Sequence, residues 1–191
     1  MRLNDQQQGH LLQIAKHSIR SGLANDSVKQ IESTDTKLNR QGASFVTINQ
    51  KGQLRGCIGT LEAQRPLIED VAANAYSAAF RDPRFSPLNI EEVVNVELHI
   101  SVLSQPELMH GCERQADLLD QLVAYEDGLI ISQGMRRATF LPSVWEQLPD
   151  KQAFVSHLMR KAGIVHWDKV VCERYRSFSF GAHWQAIAET Q

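Results

Sequence analysis

Leu11, Leu12, Ala15, Ile19 and Leu23 recur at helical spacing, with Gln13, Lys16 and Arg20 turned away, so a helix is predicted from Asn4 or Asp5 to about Gly22 or Asn25. The stretch from Asp26 to Gly42 is polar, anchored by Val28, Ile31 and Leu38, and reads as a loop with one helical turn. Two strand-like runs, Phe45 to Ile48 and Gln53 to Ile58, flank the turn NQKG and predict a β-hairpin. Pro66 suits the first turn of the next helix, in which Ile68, Val71, Ala72, Ala75 and Ala79 share a side. So many alanines imply close packing against a neighbour, and the helix must stop before Pro83.

Between Val93 and Leu103 the pattern changes to alternation. Val94, Val96, Leu98, Ile100 and Val102 face one way and Asn95, Glu97, His99 and Ser101 the other, as in a half-buried strand. Beyond Pro106, Gln115 to Tyr125 has helical spacing through Leu118, Leu119 and Leu122; GLIIS is a short strand, with Arg136 to Leu141 as its partner. PSVWEQL and KQAFVSHLMRKAG are short helices, the second closed by Gly163, and Val170 to Phe180 is a last strand carrying Tyr175, Phe178 and Phe180. Hairpins and helices without a regular βαβ rhythm predict an α+β fold, a mostly antiparallel sheet flanked by helices, in a single domain over residues 1–191.

Composition narrows the function classes. The 20 basic and 22 acidic residues leave no global field for a polyanion, so nucleic-acid binding would need a local patch. Cys57, Cys112 and Cys172 are an odd count with no close pair in sequence, which fits a reducing compartment. No window approaches the roughly 20 apolar residues of a membrane span, and the N-terminus has no signal-peptide core. A cytoplasmic protein without membrane association is expected.

Candidate chemistry concentrates in GQLRGCIGT, residues 52–60. In an extended strand Arg55 and Cys57 share a face, and a guanidinium beside a thiol favours the nucleophilic thiolate. Cys57 is the candidate nucleophile and Arg55 its charged partner; the competing reading is a buried cysteine acting as a small hydrophobe. A nucleophilic cysteine needs a base held by a third group, and His99, between Glu97 and Ser101, is the best placed. His10, His17, His110, His157, His166 and His183 read as ordinary surface or hydrogen-bonded histidines. Neither CxxC nor HExxH occurs, so no metal site is assigned; the cofactor is left unknown. Gly56 and Gly59 remove bulk so that a backbone or a ligand can approach. The loop RDPRFSP adds Arg81, Asp82 and Arg84 as binding candidates, and Arg55, Arg81 and Arg84 together would suit a carboxylate or phosphate. The plainer alternative has Asp82 bonding local amides, Phe85 in the core and the arginines in water.

LRGCIGT, followed by an alanine-rich helix, DPRF, ISVLS, GLIIS, FLPSVW and RKAG, resembles the AMMECR family, also called AmmeMemoRadiSam system protein A. The resemblance runs from ASFVTI to about Phe180, with Leu54 to Gly59 as its hallmark LRGCIG motif and Asp82, Pro83, Arg84 and Phe85 as a second group. It implies an α+β domain with a larger and a smaller lobe and the motif near a cleft between them. It also implies association with a Memo-like protein and a radical-SAM protein, as enzyme, adaptor or substrate carrier, and no particular reaction. Three functions are carried forward: an enzyme or enzyme component acting through Cys57 on a small molecule or modified peptide end; a non-catalytic protein-binding adaptor; and, least supported, nucleic-acid binding.

Overall fold

A computed structural model describes residues 3–26 and 33–189; the anchors Val28 and Ile31 lie outside the described residues. Helix α1 spans Asp5–Leu23. The Asn4 side chain accepts the Gln7 N–H at 2.8 Å while the Gln7 side chain accepts the Asn4 N–H at 3.1 Å, a reciprocal cap that fixes the start. Two short strands, β1 (Gln41–Gly42) and β4 (Arg65–Pro66), pair with each other. The predicted hairpin forms as β2 (Ser44–Gln50) and β3 (Gln53–Gly59), and the alanine-rich helix as α2 (Leu67–Phe80). With β5 (Val96–Leu103) and β10 (Ser177–His183), these strands make a sheet in the order β10-β5-β2-β3. Leu98 and Ile100 from β5 and Val46 and Ile48 from β2 are buried in one cluster with Leu11, Ile14, Val71 and Ala75 from the two helices. These elements form the larger of two compact units, residues 1–103 with 178–191.

One strand starts later than its alternation predicts. A short helix, α3 (Ile90–Val93), precedes β5 and leaves Val94 exposed. Asn89 accepts the N–H groups of Glu91 and Glu92 at 3.0 Å each, and the Glu92 carboxylate accepts the Asn89 N–H at 3.2 Å. That capping box turns the chain where β-branched residues suggest extension.

The smaller unit, residues 104–177, has its own antiparallel sheet. Strands β6 (Glu107–Leu108), β7 (Gly128–Gln133), β8 (Arg136–Phe140) and β9 (Val171–Tyr175) lie in the order β6-β9-β7-β8. Helix α4 (Gln115–Gln121), a 3-10 turn at Pro142–Glu146 and α5 (Lys151–Ala162) complete it. Gly163, with φ 72°, closes α5 as expected. Trp145 and Phe154 stack at 3.7 Å in the core, and the Trp145 indole N–H donates to the Asp127 carbonyl at 2.7 Å.

The chain departs from its sequence pattern at two further points. Helix α4 stops at Gln121 rather than Tyr125, because the Asp127 carboxylate accepts the Val123 N–H at 2.8 Å and Tyr125 takes a left-handed φ of 66°. The single strand Val170 to Phe180 is two: Arg176 donates its N–H to Ser104 Oγ at 3.0 Å and accepts the Ser104 N–H at 2.8 Å, which separates β9 from β10. Each half joins a different sheet. The pairs β2–β3, β2–β5, β6–β9, β7–β8 and β7–β9 are all antiparallel, as the α+β reading expects. Among the described residues no helix is long and apolar enough to cross a membrane.

Candidate functional site

Strand β3 is the edge of the larger sheet, and its register on β2 decides where the motif's side chains go. Thr47 pairs with Cys57 and Ile48 with Gly56, but Asn49 pairs with Leu54, leaving Arg55 as the extra residue of a bulge. The bulge interrupts the alternation that was to place Arg55 beside Cys57. The Arg55 guanidinium instead meets Glu92, Nε to Oε1 at 3.1 Å and Nη2 to Oε2 at 3.0 Å. In return it holds the Glu92 carboxyl below its ordinary value.

The guanidinium at Cys57 belongs to Arg84. Its Nη2 donates to the Cys57 carbonyl at 3.2 Å, and the Cys57 N–H donates to Asp82 Oδ2 at 2.9 Å. Asp82 and Arg84 are themselves joined in a fork, Nε to Oδ1 at 2.9 Å and Nη2 to Oδ2 at 2.7 Å. The Asp82 side chain is buried, and its bonds from Arg84 and from backbone N–H groups hold its carboxyl far below the usual range despite that burial. The DPR loop thus satisfies the two outward backbone groups of Cys57 as a fifth strand would, and closes that position of the sheet edge.

The Cys57 side chain is half-buried, and the Thr47 hydroxyl donates to its Sγ at 3.2 Å. Thr47 is also the register partner of His99 on β5, so the pairings run Cys57, Thr47, His99 across three strands on the face away from the core. His99 is not in hydrogen-bonding contact with Cys57. Its ring lies against Gly181 of β10, where a Cβ would stand 2.5 Å from Nδ1, and its Nε2 faces Glu97 Oε2 at 3.5 Å. The other Glu97 oxygen meets His183 Nε2 at 2.9 Å.

The glycines are occupied by the protein itself. A Cβ on Gly56 would run into the carbonyl oxygen of Ala78 in α2, and one on Gly59 into the Phe45 ring. Arg81 is exposed over the Tyr76 ring at 5.0 Å. With Arg55 on Glu92 and Arg84 on Asp82, the three arginines do not form an anion clamp of uncompensated charge. Phe85 is no core plug: it is half-buried, its ring 6.0 Å from the Arg55 guanidinium and 5.5 Å from that of Arg84. Leu88 fills the core, tied by its N–H to the Ala79 carbonyl at 2.8 Å.

Sequence reasoning missed Thr47, Glu92 and Asp70. Asp70, buried in the first turn of α2, accepts the Ser44 N–H at 2.8 Å, the hydroxyls of Ser44 and Thr60 at 2.7 Å each, Asn74 Nδ2 at 2.9 Å and Arg65 Nε at 2.9 Å. This hub fastens the start of β2 and the end of β3 to α2, and so positions the hairpin. Its sequence signal is a carboxylate and an amide four residues apart on a largely apolar helix. Among the described residues no three His, Cys, Asp or Glu side chains are grouped to hold a metal ion.

Comparison with known proteins adds a family. The AMMECR1 family model matches residues 12–180. Protein SSO0193 of Saccharolobus solfataricus is 34% identical over 168 residues, which cover 85% of this chain and 74% of that protein. A protein of Methanothermobacter thermautotrophicus is 36% identical over 157 residues, covering 81% of each. The crystal structure of the uncharacterized protein PH0010 from Pyrococcus horikoshii matches with a TM-score of 0.81 at 28% identity, over 95% of this chain and 94% of that one.

Proposed function

The chain belongs to the AMMECR1 family, and on that premise we propose that it works as an enzyme or enzyme component in which the Cys57 thiol acts on a small molecule or modified peptide end bound on the outer face of the larger sheet. One observation carries this reading: the Cys57 sulfur stands on the side of the sheet away from the core and accepts a hydrogen bond from the Thr47 hydroxyl. A hydroxyl so directed can hold negative charge as it develops on sulfur, and the Asp82–Arg84 clamp on the Cys57 backbone keeps the thiol in place. Arg84 takes over the position first given to Arg55. His99 serves as a base only for a proton it can reach beyond Thr47, on the substrate rather than on the thiol.

The resemblance supplies Memo-like and radical-SAM proteins as partners in the same reaction sequence, and free thiols at all three cysteines support a cytoplasmic setting. The adaptor reading rests on Arg84, whose side chain is 54% exposed on the DPR loop. A pull-down in which Arg84→Glu recovers those partners as well as the wild type does would remove it. Nucleic-acid binding gains no support, since Arg55 and Arg84 are neutralised by Glu92 and Asp82.

Alkylation followed by intact-protein mass spectrometry tests the main reading. Cys57 is expected to react with iodoacetamide under native conditions at least about tenfold faster than Cys112 or Cys172, and Thr47→Val to slow it several-fold. A Cys57 that stays inert until the chain unfolds sinks the proposal.

A further inference from the structure

The capping box that starts α3 sends Val93 into the core and leaves Ile90 and Val94, four residues apart, as neighbours at the surface, 69% and 46% exposed. Facing them is one stripe of α1, in which Lys16, Arg20 and Leu23 follow at helical spacing and Ala24 caps the helix. Leu23, Ala24, Ile90, Val93, Val94 and the core residue Trp184 line a cavity of about 380 Å³, to which Arg20 and Glu189 add the charged side chains. Its wall is apolar except for one guanidinium and one carboxylate.

The charges are arranged around that carboxylate. Lys16 belongs to the polar side of α1 by its spacing, yet it is only 5% exposed. Its Nζ donates to the Ile187 carbonyl at 2.7 Å, meets Glu189 Oε1 at 2.9 Å and lies 5.4 Å from the centre of the Trp184 ring. Arg20 Nη1 donates to the other oxygen, Glu189 Oε2. Two cations thus face one carboxylate, and with Lys16 foremost they hold the Glu189 carboxyl below its ordinary value. A buried ammonium is costly unless an anion meets it, so the end of the cavity at Lys16 and Arg20 is built to hold a carboxylate. The one that fills it comes on a side chain that is itself 61% exposed, two residues beyond Ile187, the last buried residue among those described.

We infer that this cavity binds a small aliphatic carboxylic acid, whose carboxylate replaces that of Glu189 on Lys16 and Arg20 and whose chain packs against Ile90, Val94 and Trp184. Glu189 is the protein's own stand-in for the head group of the ligand. The stripe on α1 sets the orientation: the cations come first, at Lys16 and Arg20, and the apolar surface follows at Leu23 and Ala24, so an acid with its head on Arg20 lays its tail along the α3 turn. A mostly apolar cavity of this size, with a few polar groups at one place to fix the head, is the usual form of a small-molecule site. The tail would cover Ile90 and Val94, the two apolar side chains that the fold leaves at the surface beside it. Cys57 takes no part, so the site stands or falls separately from the proposed function.

The test titrates octanoate into the full chain by calorimetry at low salt, with backbone amide NMR to locate the contact. Octanoate is expected to shift the amides of Leu23, Ala24 and Val94, and affinity is expected to rise about fourfold with each methylene from butanoate to octanoate. Glu189→Gln removes the competing carboxylate and should tighten octanoate several-fold, a gain that a merely structural ion pair would not give. Arg20→Gln should weaken it roughly tenfold. Both side chains are more than half exposed, so neither change disturbs the core. 1-Octanol, which has the chain without the carboxylate, should bind more weakly and be indifferent to Glu189→Gln. Octanoate that does not bind, shifts confined to other amides, an affinity unchanged or lowered by Glu189→Gln, or octanol that binds as tightly as octanoate would each overturn the site. Shifts at Ile90 and Val94 that follow protein concentration instead of octanoate would overturn it too, in favour of a second copy of the chain.

Discussion

Gly56→Ala is the sharpest perturbation of the motif, because the atom it adds meets backbone rather than a side chain. The new Cβ would stand 3.1 Å from the Ala78 carbonyl carbon and well inside 3.0 Å of its oxygen, whereas ordinary contact begins at 3.4 Å. The Ala78 carbonyl is backbone in the last turn of α2, flanked by Ser77 and Ala79, whose carbonyls accept the Arg81 and Leu88 N–H groups at 2.8 Å each, so it cannot swing aside as a side chain would. Strand β3 and α2 must therefore part by about 1 Å, which forfeits much of the dispersion contact between them. Overpacking of flexible side chains costs 1–3 kcal/mol, so a rigid clash is expected to cost about 3 kcal/mol or more. In a chain of this size that lowers the midpoint by roughly 6–12 °C. Gly52→Ala is the control: Gly52 has φ 75° and nothing within 4 Å, so its alanine variant carries backbone strain alone, about 1–2 kcal/mol. Urea denaturation followed by circular dichroism, with hydrogen exchange to separate the two units, measures both. If Gly56→Ala costs no more than Gly52→Ala, close approach of α2 is not why residue 56 is glycine.

Two further predictions concern pH. The Asp82 carboxyl is held below its ordinary value of 3.8, so it contributes stability above that pH and loses it as the pH falls toward the folded value. Asp82→Asn should lower stability at neutral pH by about 2 kcal/mol and flatten the acid limb below about pH 4, and parallel limbs for the two proteins in urea titrations would refute the assignment. At the other end, Cys172 is raised from 9.0 to about 12, so the unfolded chain releases a proton that the fold retains and the smaller unit should weaken as pH rises from about 9 to 12. Cys172→Ala should reduce that slope, and an unchanged slope in alkaline hydrogen exchange or urea melts would count against it.

Local signals read well in this sequence and long-range ones did not. The hairpin was legible because NQKG joins two extended runs, and α2 because Pro66 and the alanines mark its start and its packed side. The bulge at Arg55 was not legible: alternation within one strand says nothing of how the partner strand pairs, and one extra residue redirects the guanidinium. Its partner Glu92 is 37 residues away and sits in a turn of helix concealed among residues that favour strands. The same holds for the break at Arg176, which depends on Ser104. Candidate residues could be named from chemistry. Which guanidinium meets which thiol was a matter of tertiary structure.

That tertiary structure also separates packing from chemistry inside LRGCIG. Gly56 admits the Ala78 carbonyl, Gly59 lies under the Phe45 ring, Arg55 is taken up by Glu92, and Ile58 packs on the core of the larger unit. Even the Cys57 backbone has a structural task, since its N–H and C=O bind Asp82 and Arg84. A cysteine needed only as a small hydrophobe would belong with Gly56 and Ile58 on the helix side, where free thiols normally bury. Cys57 is instead paired across Thr47 on the other face, and its sulfur contributes nothing to the helix-side core. Apart from Leu54, which is 42% exposed, the thiol is the one part of the motif that packing does not explain. A folding signature would have no need of a half-buried thiol there, and that is why the proposed chemistry is placed at Cys57 rather than at the arginines.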